Sequence, residues 1–90
     1  MILSGELTTD HFFDARMLIE PHIAGEAARY AAKDDLKALQ MLTADSEAHL
    51  DDRVRLIRNN LDFHLFLARA SRNPVLSLLL ESVFERFNAV

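Results

Sequence analysis

An all-α antiparallel bundle of about four helices is the fold this sequence predicts, and three observations predict it. Apolar residues recur at steps of three and four along most of the 90-residue chain. Sustained alternation and Asn-Gly or Asp-Gly hairpin signals are both missing from the sequence. The breaks between periodic stretches, at Asp34-Asp35, Asp51-Asp52 and Asn73-Pro74, are short, which favours antiparallel neighbours.

Residues 1–8 (Met-Ile-Leu-Ser-Gly-Glu-Leu-Thr) read as an extended lead-in, and 9–90 as one helical domain. Thr8 or Thr9 can accept a first-turn N–H, and Asp10 sits where the helix dipole favours an anion. The stripe Phe12, Arg16, Ile19, Ile23, Ala27, Tyr30 then continues in phase across Pro21. One kinked helix to residue 32 is expected, with a split at Glu20 as the alternative, because a mid-helix proline removes a hydrogen bond and crowds a carbonyl. Asp34-Asp35 opens a second helix with Leu36, Leu39 and Leu42, fading around His49-Leu50. Asp51-Asp52 opens a third, with Val54, Ile57, Leu61, His64, Ala68 and Ser71 on one face. Asn73 as N-cap and Pro74 at the first helical position start the fourth, which is expected to bury Val75 or Leu76, Leu79, Val83 and Phe87.

A chain of this length buries only about 60–65% of its extended-chain surface, so one core is marginal unless something supplements it. Half of the residues are hydrophobic, so either the helices cover one another efficiently or apolar surface is left for a second subunit, and the second is expected. The net charge of −4 is unevenly spread. Residues 1–50 hold nine acids against four bases, whereas residues 51–72 hold five arginines against three acids. Direct nucleic-acid contact by this chain is not expected, because phosphate neutralisation needs a concentrated basic face. The absence of cysteine excludes disulfides and thiolate metal sites. No apolar run approaches the roughly 20 residues of a membrane span, and no signal peptide is visible. A cytoplasmic protein that does not enter the membrane is the expectation.

The run from Asn60 to Pro74 is the most informative stretch, because it sets a histidine inside an apolar stripe. Asn60 and His64 stand at i and i+4, so their side chains can meet on one helix face. Imidazole suits Zn, Ni, Fe or Cu, and an amide oxygen is a neutral, weaker donor, so the pair is an incomplete metal site. The plainer reading is a core histidine hydrogen-bonded to Asn60. Arg16 presents a similar choice. A guanidinium in an apolar stripe suits planar capture of a carboxylate ligand. It equally suits an i, i+4 pair with Glu20, or a stem lying over apolar neighbours. Asp62 and the arginines 53, 55, 58, 69 and 72 read as solvated or interhelical charge. His11, His22 and His49 read as surface or loop. No Glu-x-x-His, His-Glu-x-x-His, Gly-rich phosphate loop or cysteine nucleophile is present, so an enzyme is not expected.

Three segments resemble the FadR-type C-terminal domain of GntR-family transcription regulators. They are Arg16-Met17-Leu18-Ile19-Glu20-Pro21 with Ala24 and Glu26-Ala27-Ala28; Asp34-Asp35-Leu36 with Leu39; and Phe63-His64, Leu67-Ala68, Ala70-Ser71 and Asn73-Pro74. The resemblance covers roughly residues 9–85. It implies a helical effector-sensing bundle joined to an N-terminal winged helix, usually dimeric, with small organic acids as effectors. Arg16, Asn60 and His64 are then the expected effector contacts. Many such domains bind a divalent metal, Zn or Ni, through Asp-x-x-x-His in this helix and two histidines from later helices. Here Asn60 replaces the aspartate, so the metal site is expected to be incomplete, with His64 and Asn60 as its ligands. The winged helix and the later helices fall outside this chain, so a truncated effector-binding and dimerisation domain is expected. The rival expectation is a ligand-free helical oligomerisation module.

Overall fold

The computed structural model describes residues 8–88, and four helices account for nearly all of them: α1 Thr9–Tyr30, α2 Lys33–Ala48, α3 Arg53–Ala70 and α4 Pro74–Asn88. The expected lead-in at residues 1–7 lies outside the described residues. The all-α architecture matches the periodicity, and among the described residues no helix is long and apolar enough to cross a membrane.

Each helix begins where a side chain can satisfy its orphan N–H groups. Thr8 accepts from the His11 N–H at 3.2 Å. Asp52 accepts from Arg55 N–H at 3.1 Å. Asn73 Oδ1 accepts from Val75 and Leu76 at 3.0 and 3.3 Å, with Pro74 at the first helical position. The second helix differs. Its N-cap is Ala32, and Asp35 reaches back to accept from the Ala32 N–H at 2.9 Å. Pro21 does not break α1. It lies on the exposed face with Met17, so the Met17 carbonyl that loses its partner can be solvated instead.

Helices α1, α3 and α4 pack against one another in a triangle, while α2 rests on α3 alone among the described residues. The core is Ile23 of α1, Ala68 of α3, and Leu80 and Phe84 of α4, with Ile19, Leu61, Leu65, Leu67 and Leu76 packed around it. A slab 17 Å through its thinnest dimension results, about two helices thick. Several stripe positions are corrected. Tyr30 is exposed and carries Arg29 over its ring at 5.2 Å. Leu36, Val54 and Ile57 are also exposed, and of the alternatives Val75 and Leu76 it is Leu76 that packs on the core. In α4 the inward positions are Leu80 and Phe84, whereas Leu79 is 48% exposed, and the Phe87 side chain lies outside what is described. The cause is local. Val54 and Ile57 lie on a face of α3 that no described helix covers.

One backbone feature has a testable consequence. Arg72, in the turn between α3 and α4, holds φ at 61°, the left-handed region that favours glycine. Its guanidinium donates to Asp35 Oδ2 at 2.6 Å, tying this turn to the start of α2. Arg72→Gly and Arg72→Ala both lose that exposed pair, but only glycine removes the steric cost. The glycine variant is expected to be about 1 kcal/mol more stable than the alanine variant. Thermal melts should separate the two by roughly 4–8 °C, and coincident midpoints would show that no strain resides there.

Candidate functional site

The sequence candidates Arg16 and His64 come together where α1, α3 and α4 meet, and the residue between them is Glu20. Arg16 and Glu20 share one face of α1 at i, i+4 spacing, and Arg16 Nε donates to Glu20 Oε2 at 2.8 Å. The plain i, i+4 pairing is therefore formed. Even so, the pair is not a solvated surface bridge, because both side chains are mostly covered. The guanidinium lies over the Phe84 ring at 4.8 Å and near Phe13 at 5.7 Å, a cation–π arrangement that spends its flat faces on aromatics. Its remaining edge, Nη1 and Nη2, keeps the planar fork that matches a carboxylate.

His64 reaches the same carboxylate from α3. Its Nδ1 touches Glu20 Oε1, and its ring tilts against Phe84 at 5.8 Å between centroids and stands edge-on to Phe63 at 6.1 Å. Glu20 Oε1 is buried and in contact with Nδ1 without being aligned as a directed hydrogen bond. Two potential cations thus flank one partly buried carboxylate, with an aromatic ring from α4 closing one side. Such a site can recognise an anion through Arg16, or a Lewis acid through the imidazole.

Asn60 is placed differently. It is exposed and lines a shallow hollow on the α2–α3 seam with Leu42, Ser46, Leu56 and Phe63. The Nδ1 of His64 faces Glu20 rather than Asn60, so the expected Asn60–His64 hydrogen bond gives way to an interhelical contact. The asparagine that is buried is its neighbour Asn59, at 8% exposure. Its amide donates to Asp45 Oδ2 at 2.7 Å and to Ser46 Oγ at 3.1 Å. Asp45 also accepts two bonds from Arg55, at 2.7 and 2.6 Å, which hold its carboxyl well below the usual carboxylate range. That pairing in turn raises the Arg55 guanidinium. This second polar cluster fastens α2 to α3, a structural duty.

Sequence reasoning missed Glu20 and Phe84 as site residues. The i, i+4 spacing after Arg16 carried a signal for Glu20. No sequence signal placed Phe84, whose contact with Arg16 exists only once α4 docks. His11 and His22 are exposed as expected, while His49 ends α2 with Nδ1 at 2.7 Å from the Asp45 carbonyl. Arg53, Arg55, Arg58, Arg69 and Arg72 are all exposed, two of them in the ion pairs to Asp45 and Asp35.

Comparison with known proteins adds independent findings. The family described as the FCD domain matches residues 11–90. An HTH-type transcriptional repressor NanR from Edwardsiella tarda (strain FL6-60) is 32% identical over 65 residues, covering 72% of this chain and 25% of that protein. The repressor of the same name from Klebsiella aerogenes is 31% identical, and that from Enterobacter sp. (strain 638) is 29% identical, with the same coverage. The chain thus spans about a quarter of the length of the curated relatives it matches. No solved structure matches it significantly. With four helices in the described residues, an arginine and a histidine meeting at their junction, and a family match over most of its length, the chain belongs to the FCD-domain family, the C-terminal effector-binding domain of GntR-family regulators.

Proposed function

We propose that this chain is the front part of a FadR-type effector sensor, which receives a small organic acid at the junction of α1, α3 and α4. The observation that carries this reading is the convergence of Arg16 and His64 on the partly buried Glu20 against Phe84. A carboxylate ligand takes the outer edge of the Arg16 guanidinium, and His64 supplies a second polar contact, while Asn60 lies apart on the α2–α3 seam. In the whole regulator, a ligand that favours one arrangement of this junction shifts the placement of the attached DNA readers. The relatives' printed role as transcriptional repressors supports that assignment, and supports a non-enzymatic role.

The divalent metal, Zn or Ni, is part of the same proposal. Among the described residues no three His, Cys, Asp or Glu side chains converge. His64 is one candidate ligand, and Asn60, on the α2–α3 seam, is the weaker donor.

Thermal melts with a panel of small mono- and dicarboxylates, with and without Zn(II) or Ni(II), test this reading. At a ligand concentration near 100 times Kd the expected stabilisation is about 2.7 kcal/mol. Arg16→Met is expected to abolish the response to acids while leaving any metal response. A chain whose midpoint moves with no acid and no ion has no sensor role.

A second reading, a helical oligomerisation module that forms a homodimer, rests on a separate observation. Met17 and Leu18 of α1 are 73% and 79% exposed, and Val75 and Leu78 of α4 are exposed as well. Uncovered apolar stripes of this kind mark interaction surfaces. Sedimentation at micromolar concentration is expected to show dimers or larger species, and Met17→Glu with Leu18→Glu to return monomers. A wild-type monomer under those conditions removes this reading.

A further inference from the structure

Two residues of α1 have no use within a single copy of the chain. Gly25 lies inside a 22-residue helix, where glycine is less favourable than alanine. It is not at positive φ, and a Cβ built on it would meet nothing within 4 Å. Neither backbone conformation nor packing inside the chain therefore calls for glycine there. Leu18, two turns earlier, is 79% exposed, so its side chain is as unexplained as the missing one.

Both lie on the face of α1 opposite the buried Ile23 and Ala27. Asp14 and Arg29 share that face, because steps of four, seven and four residues stay within about 60° of one direction. All four are exposed, as are Pro21 and Ala28 beside them. Met17, 73% exposed, widens the apolar part of the face. Along the helix the order is an acid, a large apolar side chain, a bare position and a base. Turned end for end, the same helix sets base against acid and bare position against leucine, all in one register.

Resting on the oligomerisation reading above, we propose that a second copy docks on this face, with the two α1 helices antiparallel about a two-fold axis between Pro21 and His22. Leu18 sits over the partner's Gly25, Asp14 pairs with the partner's Arg29, and symmetry makes each contact twice. The bare glycine lets the helix backbones approach closely enough for the leucine to seat. Charge complementarity selects the antiparallel register, since a parallel pair would set like charges together. Asp14 and Arg29 lie about 22 Å apart along one helix, so they cannot pair within a chain. Among the described residues neither forms an ion pair, and Arg29 lies over the ring of its neighbour Tyr30.

Sedimentation of the full chain across a micromolar concentration series tests the contact by charge exchange. Asp14→Arg sets arginine against arginine at both ends of the contact, and Arg29→Asp sets aspartate against aspartate. Each single variant is expected to weaken self-association roughly tenfold. Asp14→Arg combined with Arg29→Asp restores opposite charges across the axis and is expected to return association towards the wild-type value. Such rescue has no explanation within one chain, because the two side chains do not meet there. Gly25→Ala separates folding from docking. It is expected to raise the melting temperature of the dilute monomer, because alanine favours the helix and its Cβ meets nothing. It is expected to weaken self-association at the same time. A wild type that stays monomeric overturns both this contact and the oligomerisation reading. A wild-type dimer that ignores the single charge exchanges, is not regained in the double variant, or tightens in Gly25→Ala overturns the α1 contact alone. The oligomerisation reading then stands on the exposed Val75 and Leu78 of α4.

Discussion

Leu80→Ala is expected to destabilise the chain by about 2–5 kcal/mol, enough to remove most of the folded population of a small domain. Leu80 is fully buried and joins Ile23, Ala68 and Phe84, so it connects all three helices of the triangle. Truncating it loses the transfer free energy of the removed carbons and leaves a cavity that the surrounding helices fill only in part. A chain this short has little reserve, because its surface-to-volume ratio limits the core it can build. The neighbouring Leu79→Ala, at a position 48% exposed, makes the same chemical change one residue away and is expected to cost well under half as much. Urea titrations followed by far-UV circular dichroism compare the two. Equal losses, or a larger loss at Leu79, would place α4 in a different rotational register and move Phe84 away from Arg16.

That comparison also shows where the sequence was readable and where it was not. Polar caps were readable because capping is local: Asp52 and Asn73 need only the next three residues to act. Ala32, the one N-cap with no side-chain oxygen, is the one local signal failed to mark. Rotational register in α4 was not readable, since Leu78, Leu79 and Leu80 are consecutive and fit three helical stripes equally well. Only docking against Ile23 and Ala68 selects Leu80. The paired asparagines posed the same difficulty. Nothing local distinguishes Asn59 from Asn60, and it is the position of Asp45 on α2 that selects the first for burial. Arg16 and His64 were legible as charges inside apolar stripes, whereas their common partner Glu20 was legible only as a helical neighbour of one of them. The family pattern pointed to these two stretches of the chain; the link between the helices had to come from packing.

The same division separates two mechanical units. The α1–α3–α4 triangle is held by the apolar core, which depends little on pH. Helix α2 has no fully buried side chain and rests on α3 alone among the described residues. Its attachment includes a polar network: Asp45 and Ser46 to Asn59, Asp45 to Arg55, and Asp35 to Arg72 at its start. An element held in this way is the one expected to open first, and to open by charge rather than by cavity formation.

Acid is therefore expected to release α2 before the triangle melts. Hydrogen bonds from Arg55, and then from Asn59, lower the Asp45 carboxyl in the folded chain relative to its unfolded value near 4. A group with a depressed folded value contributes stability that is fully present above the unfolded value and is lost as pH falls toward the folded one. Protection should thus decline from about pH 5 downward, as protons bind the unfolded arrangement preferentially. His49 lies 3.6 Å from Asp45 Oδ1, and when protonated it adds a favourable charge to the same site, which opposes the release without reversing it. Hydrogen-exchange protection factors resolve the order of events, because they report α2 and α4 separately. In wild type the amides of residues 39–46 are expected to lose protection well before those around Leu80. In Asp45→Asn the charge-assisted bidentate bond from Arg55 is gone, so the α2 amides should be weakly protected already at neutral pH and respond little to acid. A wild type and an Asp45→Asn variant with the same acid profile would remove Asp45 as the source of the sensitivity.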